Sequence, residues 1–191
     1  MACYAIRKIK SFVSLKVLIS TYFSYFHSLL TYGVIFWGNS PFSKNIFKIQ
    51  KRVIRIITNN PRRESCKHLF KQLKILTLPS RYIFSVLVFI AENRDLFMFN
   101  RDTSIHSFST RNHLDLQLPS IHLTVVQRGV LYSGCKVFNN LPVQIKSHFE
   151  NLRNFKKVLK NYLIEHSLYS LKEYYYLTAK GIGFIVIPFS L

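Results

Sequence analysis

The sequence predicts a mainly α-helical protein, an irregular helical bundle with a short β ribbon or extended segment in its middle. Three observations predict it. Apolar residues recur at about 100° per residue in three stretches, 43–59, 80–93 and 151–166. Alternation of apolar with polar residues is confined to Leu114, Leu116 and Leu118 around Asp115 and Gln117. The composition, 49% apolar and 15% aromatic over 191 residues, supplies a core for one or two compact units and excludes a disordered chain.

Taken in order, the first element is an aromatic helix within 17–43, a stretch of 27 residues without a formal charge. That length would span a bilayer. Its polar members, Ser20, Thr21, Ser24, His27, Ser28 and Thr31, gather in an arc of about 120°, with Leu18, Ile19, Tyr22, Phe23, Tyr25, Phe26, Leu29 and Leu30 on the rest. Six polar groups suit a helix buried in protein on most of its surface and have no use against lipid, so the membrane-spanning reading is set aside. Basic residues flank both ends, which removes any orientation bias. A signal peptide fails as well, because Lys16 interrupts the apolar run and no small-residue cleavage site follows. Nucleus or cytoplasm is therefore expected over secretion or a membrane.

Gly33 and Gly38, with Asn39, Ser40 and Pro41, end that helix, and Ser43 is the expected N-cap of the next. In 43–59 the residues Ile46, Phe47, Ile49, Val53, Ile54, Ile56 and Ile57 fall in one half of the wheel, and Lys44, Lys48, Lys51, Arg52 and Arg55 fall opposite. Asn59, Asn60 and Pro61 stop it. A short helix over 65–74 carries Leu69, Phe70 and Leu73 on one side; Pro79 then opens an apolar helix whose Ile83, Phe84, Leu87, Val88 and Ile90 form the expected centre of the core. The polar run 101–110 and the alternating leucines follow. A helical pattern over 124–138, loosened by Gly129 and Gly134, is broken by Asn139, Asn140, Leu141 and Pro142. The last strong helix points Leu152, Phe155, Leu159, Tyr162 and Leu163 inward and Arg153, Lys156, Lys157 and Lys160 outward. The expected organisation is an amino-terminal helical unit over 1–98, an extended linker over 99–123, a second helical unit over 124–176, and an apolar tail over 177–191 that is a strand or no part of the fold.

Charge narrows the function. Against 27 Lys and Arg stand 8 Asp and Glu, a formal +19, and residues 1–63 hold 11 basic residues and no carboxylate. Such an excess self-repels unless something anionic offsets it, which points to nucleic acid or an anionic membrane surface. The basic stripe of 43–59 has no interleaved acid to form the pairs a merely solvated helix carries.

Catalytic chemistry is missing. Metal-assisted phosphate chemistry needs clustered carboxylates, and Asp95, Asp102 and Asp115 each stand without an adjacent acid, while Glu92 and Asp95 close an apolar helix and read as surface residues. No GxxxxGK, HExxH or GxSxG motif occurs. Cys3, Cys66 and Cys135 are far apart with no CxxC pair, which fits a reducing compartment. Cys66 with His68 reads as a buried small residue beside a surface histidine, and His106, His113 and His122 as loop histidines. Tyr22, Tyr25, Phe26, Tyr32, Phe36 and Trp37 could stack on unpaired bases; lying on the apolar side of their helix, they read as core.

The order of several blocks resembles a known pattern. YFSYFHSLLTYGVIFWGNS (22–40), KIQKRVIRIIT (48–58), SCKHLFKQLKILTLPSRYIF (65–84), STRN (109–112) and GCKVFNNLPVQIK (134–146), closed by FKKVLKNYLIEHSLYSLKEYY, are similar to the carboxyl-terminal region of reverse transcriptases from jockey-like non-LTR retrotransposons. The likeness covers about residues 4–176. It implies the segment after the polymerase palm, the later thumb and carboxyl-terminal helices, which would hold template and primer and form no bond. The palm's Tyr-x-Asp-Asp motif is not in this chain, so no catalytic residue carries over, and magnesium would belong to the missing palm. Met1 falls where the family sequence runs on from upstream, which implies a truncated or mispredicted reading frame; the tail from Leu177 has no counterpart in the family, and the zinc knuckle of some relatives is not in this chain.

The expectation is thus a fragment of a retrotransposon RNA-directed DNA polymerase, inactive alone, binding RNA or DNA through Lys48, Lys51, Arg52 and Arg55 with Lys156, Lys157 and Lys160. It has no cofactor of its own and the upstream polymerase domains as a further partner. The alternatives are a purely structural remnant and a basic protein lying on an anionic membrane.

Overall fold

A computed structural model describes residues 2–100 and 114–179, which are mainly helical and contain no strand. The polar run 101–110, with Asp102 and His106, together with His113 and the tail from residue 180, lies outside the described residues. The chain divides into two compact units: Met1–Tyr82 with Asn161–Tyr169, and Ile83–Lys160 with Ser170–Leu191. This division rests on spatial contact and returns to the first unit after residue 160, which a sequential partition at 98, 123 and 176 has no means to express.

The first unit begins with α1 (Ala2–Ile9) and a longer helical stretch made of α2 (Leu15–Thr21), a π-helical segment (Tyr22–His27) and one further turn (Ser28–Thr31). The π segment has a sequence cause. Leu18, Tyr22, Phe26 and Leu30, spaced by four, are all buried; on a 3.6-residue helix such a row drifts by about 40° per step, and the wider π turn takes up that drift so that one straight stripe faces the core. Gly33 then reverses the chain at φ 57°, a left-handed conformation for which glycine is suited. Among the described residues no helix is long and apolar enough to cross a membrane.

The core reading of the aromatics needs correction. Tyr22 and Phe26 are buried, but Tyr25, Tyr32 and Phe36 are exposed, the last two by 86% and 77%. The buried stripe is only one residue wide, which leaves the flanks of the stretch, Val17, Tyr25 and Leu29 among them, open. Trp37 is half-buried, its Nε1 donating to the Tyr32 carbonyl at 2.9 Å.

Helix α3 (Ser43–Thr58) buries Phe47, Gln50, Val53, Ile54 and Ile57. Its buried face departs from the expected one: Ile49 is exposed, Ile46 and Ile56 are half-buried, and the polar Gln50 is fully buried. Gln50 is tolerated because both ends of its amide are used. Its Nε2 donates to Tyr22 Oη and to the Leu76 carbonyl, both at 3.0 Å, and its Oε1 accepts from Leu78 N at 2.8 Å. Ser43 lies inside the first turn and donates to the Ser40 carbonyl at 2.7 Å, so it is not the cap. Asn59 ends the helix at φ 60°.

After α4 (Lys67–Gln72), helix α5 (Leu78–Glu92) starts with every early donor accounted for. Gln50 takes the Leu78 N–H, Pro79 has none to offer, Thr77 Oγ1 accepts from Ser80 N at 3.3 Å, and Arg81 N reaches the Thr77 carbonyl at 2.8 Å.

In the second unit the remainder of α5 buries Ile83, Val86, Leu87 and Ile90, with Phe84 and Val88 half-buried. Gly134 of α6 (Val130–Asn139) meets it closely: a Cβ there would lie 3.2 Å from Ile90 Cδ1. Helix α7 (Leu152–His166) runs across both units and buries Phe155, Leu159, Tyr162 and Leu163 as expected, with Leu152 half-buried. In α8 (Leu171–Ala179), Tyr174 Oη donates to the Val137 carbonyl at 2.9 Å. Phe99, Phe138, Phe149 and Phe155 form an edge-to-face chain with centroids 4.9 to 6.1 Å apart.

The expected ribbon at 114–118 is reduced to one antiparallel bridge, Phe99 to Leu116, with Asn100 N donating to Asp115 O and Gln117 N to Met98 O. A side chain replaces the missing strand: the Asn139 amide accepts from Leu116 N and donates to Leu116 O, both at 2.8 Å. Asp115 is drawn inward by Lys146, whose Nζ lies 2.6 Å from its carboxylate and 2.9 Å from the Asn139 carbonyl.

Candidate nucleic-acid interface

The cationic stripe of α3 lies along a groove in the first unit. Helix α1 packs against α3, since the buried Ile6 anchors it, and this brings Arg7 and Lys10 beside the stripe. The groove, of about 600 Å3, is lined by Arg7, Lys10, Lys48, Lys51, Arg52, Arg55, Ile56, Asn59, Asn60 and Arg62. Seven of these ten are cations and none is an acid. None of the seven is in an ion pair with a described residue.

Neighbouring groups position several of the cations. Arg55 donates through Nε and Nη2 to the Glu64 carbonyl at 3.2 and 2.6 Å, which fixes the guanidinium against the loop that follows α3. Lys51 Nζ sits 4.8 Å from the Phe47 ring centroid and 5.2 Å from that of Tyr169, a cation–π position that stretches its stem over aromatic surface. Lys10 Nζ donates to Asn59 Oδ1 at 2.7 Å, which ties the end of α1 to the end of α3. Lys48 and Arg52 are exposed.

Of the residues singled out from sequence, Lys48, Lys51, Arg52 and Arg55 therefore line one groove. Lys156, Lys157 and Lys160 do not: they belong to the second unit. Lys156 is engaged there by the Glu92 carboxylate at 2.6 Å, while Lys157 and Lys160 are exposed. Sequence reasoning missed Arg7, Lys10 and Arg62 as groove residues. The available signal was the acid-free composition of residues 1–63, which says that these charges exist but not that they converge.

The other chemistry weighed from sequence has local structural partners. The Cys66 thiol is buried, contacts the Lys51 carbonyl at 3.7 Å, and is pushed up from its ordinary pKa by that burial, with Arg55 and Lys51 acting in the opposite direction. His68 is exposed and lies 3.4 Å from the Glu64 carboxylate. Among the described residues no three His, Cys, Asp or Glu side chains come together to hold a metal ion; His122 is exposed.

Comparison with protein-family models, with curated proteins and with solved structures finds no match.

Proposed function

We propose that this chain is a nucleic-acid-binding helical segment of a retroelement RNA-directed DNA polymerase, of the kind that follows the palm, and that alone it holds RNA or DNA without catalysis. The observation that carries the binding reading is the α1–α3 groove, in which seven cations converge with no carboxylate. The family origin rests on the order of the sequence blocks. Five groove cations, Arg7, Lys48, Lys51, Arg52 and Arg62, make no side-chain hydrogen bond to a described residue and are available to phosphates.

Filter binding on the full chain tests this. Five phosphate contacts with a single strand give a log–log salt slope of about −3.5, or a loss of roughly a hundredfold in affinity from about 50 to about 200 mM salt. Reversing two of them, as in Lys48→Glu with Arg52→Glu, should reduce the slope by about 1.4. Affinity absent at low salt, or indifferent to the reversal, refutes the reading.

One observation favours the second reading, that these helices complete a larger protein: Leu29, Tyr32, Phe36 and Phe42 are all more than 60% exposed. An isolated chain that aggregates or melts without cooperativity supports it. A sharp two-state melt counts against it.

A further inference from the structure

We propose that the groove recognises phosphate groups alone, so that a base-free polyphosphate fills it as a nucleic acid does. The inference rests on the reading of the groove as a phosphate-binding surface and goes further in naming what is read. Proteins that hold bases stack them on aromatic rings or bond their edges with side-chain amides and guanidinium forks. No aromatic side chain lines this groove; the nearby rings of Phe47 and Tyr169 are covered by the Lys51 ammonium.

Each of the two amides in the lining has one end engaged, which removes the bidentate pairing that reads adenine. Asn59 Oδ1 accepts from Lys10, and Asn60 Nδ2 donates to Glu64 Oε2 at 2.6 Å. Arg55 presents its Nε and one terminal nitrogen to a backbone carbonyl, while the guanidinium forks of Arg7, Arg52 and Arg62 stay open and match two phosphate oxygens as readily as a guanine edge, so the case for phosphate alone rests on the missing aromatic platform. Ile56 is the one apolar side chain of the lining. What remains is positive charge around a space of about 600 Å3, the share of roughly 20 waters, which suits a run of hydrated phosphates. Converging like charges repel, and a ligand relieves that repulsion in proportion to its charge density. Bases contribute nothing to that term.

The test uses the full chain and three probes: a fluorescently labelled single-stranded DNA, an abasic strand with the same backbone, and inorganic polyphosphate as an unlabelled competitor. The abasic strand should bind within about threefold of the base-bearing one, since a single stacked base is worth about fivefold or more. Polyphosphate should displace both. The variant Lys48→Glu with Arg52→Glu should lose all three ligands while keeping the parent's melting profile, and Lys157→Glu with Lys160→Glu should keep them.

DNA binding that drops more than about fivefold without bases, or that polyphosphate does not displace, overturns the inference and leaves the nucleic-acid reading standing. Polyphosphate bound in the groove without DNA does the reverse. Equal losses in the two lysine variants overturn the inference too, because binding would then follow net charge and not the groove. Failure of every probe to bind refutes both readings.

Discussion

Replacing Gln50 by leucine, a change that nearly conserves volume, removes three hydrogen bonds from a fully buried site in the first unit. The Leu78 N–H, one of the unpaired donors at the start of α5, loses its acceptor, and the Leu76 carbonyl loses a donor. Each buried group left without a partner costs about 1–3 kcal/mol. Two backbone groups together therefore cost about 2–6 kcal/mol, a large part of the roughly 5–15 kcal/mol that holds a typical domain folded. Urea unfolding of the full chain, followed by far-UV circular dichroism, should show the midpoint falling at an unchanged slope. Glutamate at the same position supplies the sign test. Its neutral form can accept from Leu78 N and donate to Leu76 O, whereas its anion cannot donate and is buried, so the folded-state pKa rises above the unfolded value of about 4.3. The Gln50→Glu chain should accordingly be most stable below that value and lose stability as pH climbs through the folded pKa. A Gln50→Leu unfolding free energy within about 0.5 kcal/mol of the parent's, or a Gln50→Glu stability indifferent to pH, would show that the amide does not pin α3 to the first turn of α5.

Gly38→Ala should destabilise by about 1–3 kcal/mol, because the new Cβ would lie 2.6 Å from the Val34 carbonyl and 2.5 Å from Tyr82 Cδ2; a thermal melt equal to the parent's refutes it. Alkaline pH should unfold the chain early. Burial pushes Tyr22 up to about 12, with the Gln50 hydrogen bond and Arg81 acting the other way, and burial alone pushes Tyr162 up to about 12. The neutral phenols are the form the fold favours, so their contribution is whole below the unfolded pKa of about 10 and is lost as pH rises toward 12, by about 3 kcal/mol for Tyr22 and by less for Tyr162, which solvent partly screens. Phenolate absorbance should then rise together with loss of circular dichroism, and Tyr162→Phe should delay both; titration of every phenol near pH 10 in an intact fold would refute the assignment.

What could be read from sequence was whatever depends on the helical period alone. The stripe of Lys48, Lys51, Arg52 and Arg55 follows from 100° per residue, and so does the inward face of α7 from Phe155 to Leu163. The same geometry puts Gln50 midway between Phe47 and Val53 on the wheel, at the centre of the buried arc. Its polarity argued against burial, and only the distant partners Tyr22, Leu76 and Leu78 explain why position prevailed. Asn139 misled in the same way. Read as a helix breaker, it also stands in for a strand by bonding both backbone groups of Leu116, 23 residues away. The π segment left one trace, the spacing of four among Leu18, Tyr22, Phe26 and Leu30, which makes sense only once the stripe is known to be straight.

The groove depends on where the few acids are. Glu92, Asp115 and Glu165 pair with Lys156, Lys146 and Lys71, none of which lines it. Glu64 comes nearest. It gives its carbonyl to Arg55, while its carboxylate takes the Asn60 amide and faces His68. Three of these carboxylates are thus engaged by lysines outside the lining, Glu64 sits at the groove's edge on Asn60, and none of the seven cations is in an ion pair within the described fold. Burial of Phe47, Val53, Ile54 and Ile57 on the opposite side of α3 holds that helix in place against their mutual repulsion. Neutralisation must then come from solution, as salt ions or as a ligand that releases them, and this is why ionic strength is the variable that tests the site.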